Sequence, residues 1–244
     1  MFHYFANPTR FMRFSNAIFP YIIITCTLLI SLGLWYGLIN SPPDYLQGES
    51  VRIMYIHVPS AWMSLFVYFS ITVFSISFLI WRHPLASMAA YESTKIGAIF
   101  TLITLCTGSL WGKPTWGTWW VWDARLTSVL LLFFIYLALM TLPKAFNDLD
   151  KGDNAFSILA LFGAFNLPII KFSVDWWNTL HQPASVFRRG GVAINEEMLL
   201  PLLLMASAFM LLYIILLIIG IDASLHYRKY RALVINKLNK NQIS

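Results

Sequence analysis

Trp111 to Arg125 reads WGKPTWGTWWVWDAR, and five of the ten tryptophans fall in it: Trp111, Trp116, Trp119, Trp120 and Trp122. Gly117 lies among them, and Asp123 and Arg125 follow at once. Such a patch offers wide, rigid, apolar faces with indole donors at their rims, which suits a large planar ligand with a charged edge. Haem is the leading candidate. One histidine precedes the patch, His57, and one follows it, His181. Two neutral imidazoles make a suitable axial pair for haem iron. Haem propionates would need cations, for which Arg125 and Arg188, with Arg52, Lys113 and Arg189, are the candidates, because a planar guanidinium meets a carboxylate through two hydrogen bonds. Two or three partly used indole faces, at about 25 cal/mol per Å², would supply several kcal/mol before the cost of ordering the ligand. No C-x-x-C-H run for covalent attachment is present, so the expected cofactor is haem b, held non-covalently and transiently.

The elements that must position these residues are membrane spans. Of 244 residues, 58% are apolar and 11% charged, against about a quarter charged in soluble domains. Apolar runs long enough to cross about 30 Å of hydrocarbon predict an all-α bundle of six transmembrane helices forming one membrane domain. The spans are expected at about 18–40, 58–81, 86–110, 124–142, 155–172 and 197–221. Pro59 is expected in the first turn of the second span, where a missing N–H costs nothing, and Pro168 is expected to kink or end the fifth. Residues 111–125, broken by Gly112, Pro114 and Gly117, are expected as a surface loop, with Asp123 as N-cap of the fourth span. Glu92 and Lys95 are spaced to pair along the third. The first run has no cleavage-site pattern and reads as a retained span.

Eleven of the seventeen basic residues fall in the N-terminal segment, the two turns on its side and the tail. By the positive-inside rule both termini are expected in the cytoplasm. His57, the tryptophan loop and His181 then share the outer, periplasmic face of a bacterial inner membrane. The net charge of +6 is spread over connecting segments, which argues against nucleic acid as a partner.

Plainer roles compete for some of these side chains. Trp35, Trp62, Trp81, Trp176 and Trp177 suit an interfacial aromatic belt. The outer arginines could meet lipid head groups, and Asp123 could serve the helix, the ligand or both. His3, His83 and His226 fall on the cytoplasmic side and are assigned no role. Cys26 and Cys106 sit in apolar runs without C-x-x-C spacing and read as packing residues. With no P-loop, G-x-S-x-G or H-E-x-x-H, the chain is not expected to be an enzyme. Two other functions stay open from the residues alone: a transmembrane haem channel, and an electron-transferring membrane cytochrome or quinol oxidase. A channel should carry intramembrane ionisable groups along a pathway, and an electron carrier should carry histidine pairs at mid-membrane; neither pattern stands out.

The run Trp116 to Asp123, WGTWWVWD, resembles the WWD signature of the haem-handling proteins of cytochrome c biogenesis, and His57 and His181 match that family's pattern of one histidine on each side. Six spans and a short chain are most similar to the cytochrome c maturation protein C family, the haem exporter protein C family. The resemblance implies haem held at the periplasmic surface with His57 and His181 as axial ligands, and passed to a periplasmic haem chaperone. It also implies partners: the ATPase and membrane subunits of an ABC transporter, and a small single-span accessory protein.

Overall fold

The computed structural model describes residues 7–183, 185, 186, 188 and 191–243, without the side chains of 235, 236 and 238–243. Arg189 and His3 lie outside the described residues. Regular structure among the described residues is helical, apart from one isolated bridge between Asp44 and Gly48. In chain order the helices are α1 (Pro8–Trp35), α2 (Met54–Trp81), α3 (Pro84–Trp116), α4 (Ala124–Thr141), α5 (Leu149–Ala164), α6 (Asn166–Trp176) and α7 (Glu196–Ile243). Together with the short turns that extend them, and with α5 and α6 as one broken span, they give six helical segments long and apolar enough to cross a membrane.

α2 and α3 pack along each other as an antiparallel pair, with α4, α5 and α7 against them, while α1 leans on α7. Buried tyrosines lock this bundle. Tyr68 on α2 donates to the Ala160 carbonyl on α5 at 3.2 Å, and Tyr136 on α4 donates to the Ser64 carbonyl on α2 at 2.8 Å. Both rings lie over glycine: a Cβ on Gly97 would sit 2.3 Å from the Tyr136 ring, and one on Gly163 would sit 2.0 Å from the Tyr68 hydroxyl. Each phenol thus buries its ring and still finds an acceptor, which an apolar interior requires.

Several helices run beyond their expected limits. α1 starts at Pro8 because Asn7 Oδ1 accepts the N–H groups of Thr9 (3.0 Å) and Arg10 (3.3 Å), so a polar cap starts the helix well before the apolar run. α2 begins at Met54 after a 3₁₀ turn, Glu49–Ile53, which leaves Pro59 inside the helix instead of in its first turn. Val51, Met54 and Tyr55 are buried in a cluster with Met198, Leu202 and Met205 of α7, and this burial outweighs the single backbone bond that Pro59 forfeits. α7 continues past residue 221 because its polar end is anchored. Arg228 pairs with Asp153 at 2.9 Å, Ser224 donates to Glu92 at 2.6 Å and Arg231 donates to the Asn147 carbonyl at 2.7 Å. The expected Glu92–Lys95 pair forms, at 2.7 Å. The fifth span breaks at Phe165, three residues before Pro168, whose ring cannot follow an unbroken helix. Cys26 is buried and Cys106 is exposed, both as free thiols.

The tryptophan stretch differs most from the expectation of a loop over 111–125. α3 runs through Gly112 and Pro114 to Trp116, and only residues 117–123 are irregular. Gly112 is spent on packing: a Cβ there would lie 3.1 Å from the Trp116 ring, which folds back on the helix. Pro114 sits in the last turn, and the Trp111 carbonyl one residue past its lost bond accepts the Thr115 hydroxyl at 2.8 Å. Gly117, at φ +77°, ends the helix, donating its N–H to the Lys113 carbonyl at 3.0 Å.

Candidate functional site

Antiparallel α2 and α3 put the start of α2 and the end of α3 at one end of the bundle. His57, the fourth residue of α2, turns its side chain against α3 and is 8% exposed. Its ring fits there because residue 108 is glycine; a Cβ on Gly108 would come within 2.9 Å of the imidazole Cε1. Nδ1 lies 3.0 Å from the Thr107 hydroxyl, and the ring meets the edge of Trp111 with centroids 5.6 Å apart. Trp111 is fixed in turn, its indole N–H donating to Gln47 Oε1 at 2.7 Å from the loop that precedes α2.

His181 reaches the same end from the segment after α6. Its ring lies 6.1 Å from that of Trp116, and the two imidazoles are near enough to interact electrostatically. A string of polar contacts holds the residue. Asp123 caps α4, with Oδ1 accepting the Leu126 N–H at 2.7 Å, while Oδ2 accepts the Thr179 hydroxyl. Thr179 Oγ1 accepts the His181 backbone N–H at 3.0 Å. The helix role expected of Asp123 is thus present, and the same carboxylate also orders the histidine segment. Burial, and next the nearby Arg125 guanidinium, push the His181 imidazole below the ordinary histidine value, outweighing the Gln182 carbonyl and Asp123, which act the other way. The neutral form, the one that can ligate a metal, therefore persists below about pH 6.5 and is lost only as pH falls through the lowered value.

The remaining site candidates divide. Trp116 is half-buried beside His181, whereas Trp119 and Trp122 are 54% and 75% exposed. Trp122 packs edge-on against Trp120, at 5.5 Å, and the Trp120 indole N–H is buried with no hydrogen-bond partner among the described residues. Arg125 donates from Nε to Ser173 at 2.8 Å and from Nη2 to the Lys171 carbonyl at 3.4 Å, which joins α4 to α6. Lys113 donates to the Gly117 carbonyl at 3.1 Å and stands over the Trp119 ring at 5.9 Å. Arg52 is engaged by Glu49 and the Gly37 carbonyl. Arg188 is exposed on the long segment before α7.

Gln47, Thr107, Gly108, Ser173 and Thr179 shape the site and do not stand out in the sequence by type. Thr107 and Gly108 could have been found, since Thr104, Thr107, Gly108 and Trp111 repeat at helical spacing as one polar, small and aromatic stripe. Gln47 and Thr179 lie in irregular segments that carry no such period.

The donor set fits a haem cargo. Two imidazoles share one end of the bundle, each hydrogen-bonded through Nδ1 and not through Nε2 among the described residues. Trp111 and Trp116 lie beside them, Trp119 and Trp122 expose broad indole faces, and the buried Trp120 indole donor has no partner among the described residues.

Comparison with known proteins finds relatives over most of the chain. The model of the family described as "CcmC: Heme exporter protein C" matches residues 1–236. A Bradyrhizobium diazoefficiens protein named "Heme exporter protein C" is 50% identical over 228 residues, 93% of this chain and 86% of the relative. A "Putative cytochrome c biosynthesis ccmC-like mitochondrial protein" of Marchantia polymorpha is 46% identical over 206 residues, 84% and 87% of the two chains. An Escherichia coli (strain K12) protein named "Heme exporter protein C" is 43% identical over 210 residues, 86% and 84% of the two.

Proposed function

Because the chain belongs to the haem exporter protein C family, we propose that it holds haem non-covalently at the periplasmic end of its bundle and delivers it to a periplasmic haem chaperone. Membership carries the coarser statement: a multi-pass membrane protein with a role in haem handling for cytochrome c maturation. In the fuller reading His57 and His181 are the axial ligands. Trp111 and Trp116 flank the imidazoles, and Trp119, Trp120 and Trp122 offer their faces to the porphyrin. Asp123 and Gly117 hold the loop in shape. Arg125 and Arg188 are the cations for the propionates; Arg125 keeps N–H groups beyond the two already used and is close enough to His181 to act on it electrostatically. Both termini lie in the cytoplasm, and the membrane is the bacterial inner membrane. The protein works beside the ATPase and membrane subunits of an ABC transporter and a small single-span protein, moving haem without catalysing a reaction.

One observation carries this reading: two histidines 124 positions apart in sequence lie at one end of the bundle, each beside a tryptophan of α3 and each with Nδ1 hydrogen-bonded. The test is optical and paramagnetic-resonance spectroscopy of haem-loaded protein in detergent. Wild-type protein is expected to show six-coordinate, two-imidazole haem that is lost on mixing with the chaperone, and His57→Ala or His181→Ala should each abolish that signature. Unchanged spectra in both variants would remove the two residues from the ligand role. Haem that stays bound and cycles between redox states points instead to an electron carrier.

A further inference from the structure

Each imidazole of the site has one nitrogen engaged, and the identity of its partner decides where the ring proton sits. Thr107 has a single hydroxyl proton, and its oxygen lies 2.6 Å from the Ile103 carbonyl, one turn back on α3. A carbonyl only accepts, so the hydroxyl donates to it, and towards His57 the same oxygen is left as an acceptor. The Thr104 carbonyl, 3.4 Å from that hydroxyl, also lies beside the ring and can only accept. The His57 proton therefore sits on Nδ1, and Nε2 carries the lone pair. At His181 the partner of Nδ1 is the Gln182 carbonyl, at 2.9 Å, which fixes the same tautomer.

We propose that Thr107 is a positioning residue for haem: through its bond to Ile103 it holds His57 as the Nδ1–H tautomer, so that both histidines present Nε2 to the iron. This rests on the ligand reading of His57 and His181 and adds how the pair is prepared before any haem arrives. Gly108 completes the arrangement, since the ring reaches Thr107 only by lying where a side chain at 108 would stand. A metal-bound histidine whose second nitrogen donates to a fixed acceptor is both oriented and made more electron-donating, and loss of such an acceptor costs about 10–100-fold in metal affinity.

Three readouts test this, one of them without haem. In apo protein with ¹⁵N-labelled histidine, reconstituted in nanodiscs, the His57 signals, identified by their loss in His57→Ala, should show the Nδ1–H tautomer. Thr107→Val keeps the shape and removes the Thr107 acceptor while the Thr104 carbonyl stays; it should weaken that tautomer preference at His57, leave His181 unchanged, weaken haem binding about 10–100-fold and raise the haem midpoint potential. Thr107→Ser restores the hydroxyl and should restore all three, which separates loss of the bond from loss of fold. If Thr107→Val leaves tautomer, affinity and potential as in wild type while His57→Ala still destroys six-coordinate haem, the positioning role falls and the ligand reading stands. If His57→Ala also leaves the haem spectrum unchanged, the ligand reading itself falls.

Discussion

The absence of a side chain at residue 108 is as much a part of the site as the imidazole that lies over it. Gly108→Ala would put a methyl 2.9 Å from His57 Cε1, so the ring must move and its 3.0 Å contact to Thr107 must break. In a helix interior alanine is favoured over glycine by about 1 kcal/mol, while overpacking costs about 1–3 kcal/mol, so the two partly cancel. The expected outcome is a protein that melts within a few degrees of wild type yet has lost the two-imidazole haem spectrum. A variant that keeps the spectrum would show that the ring does not need this groove. At this scale the sequence was legible where chemistry shows in residue type. His57, His181 and the tryptophans announce themselves, and Asp123 can be recognised as a cap from its place before an apolar run. Thr107 and Gly108 announce nothing, because a threonine or glycine acquires a role only through what a neighbouring helix brings to it.

At the scale of elements, α4 begins on the same carboxylate that orders the histidine segment, so helix start and the placement of His181 are coupled through Asp123. Asp123→Ala removes both, costing about 0.5–2 kcal/mol for the cap and releasing Thr179 from its acceptor. Thr179→Val cuts only the second connection. Asp123→Ala is expected to lower both thermal stability and the fraction of six-coordinate haem, and Thr179→Val only the latter; equal stability losses in the two would refute the division. Element boundaries were less legible than element existence. Apolar length marks a span but not its ends, and here the ends are set by things a hydropathy pattern does not register: an asparagine cap at α1, burial of Val51, Met54 and Tyr55 ahead of α2, and anchoring of α7 beyond the apolar run. Gly112 and Pro114 mislead in the same way. They read as helix breakers, but one makes room for Trp116 and the other falls where α3 is about to end.

Over the whole molecule, His57, His181 and the tryptophans from Trp111 to Trp122 occupy one end, and the Asp153–Arg228 and Glu92–Lys95 pairs the other. Asp153 and Arg228 join α5 to the far part of α7, with Ser87 of α3 also within reach of the guanidinium at 3.3 Å. Asp153→Ala should cost about 1.5–3 kcal/mol, the range for hydrogen bonds to charged groups, and appear as a lower melting temperature with an unaltered haem spectrum. A changed spectrum would mean that the two ends communicate. The six-span architecture was the most legible feature of all, since in lipid a backbone must satisfy its own polar groups and helices are what such composition can form. How the helices meet depends on Gly97 and Gly163, whose bare backbones receive Tyr136 and Tyr68, and that pairing has no local signal. The construction of the two imidazole mounts is also unequal. His57 stands on two long helices pressed together, whereas His181 lies in an irregular segment, its backbone N–H tied to Thr179, which donates to Asp123. A clamp with one jaw bolted down and the other tied on opens from the tied side, so on the proposed ligation a departing porphyrin should part from His181 first and linger, five-coordinate, on His57.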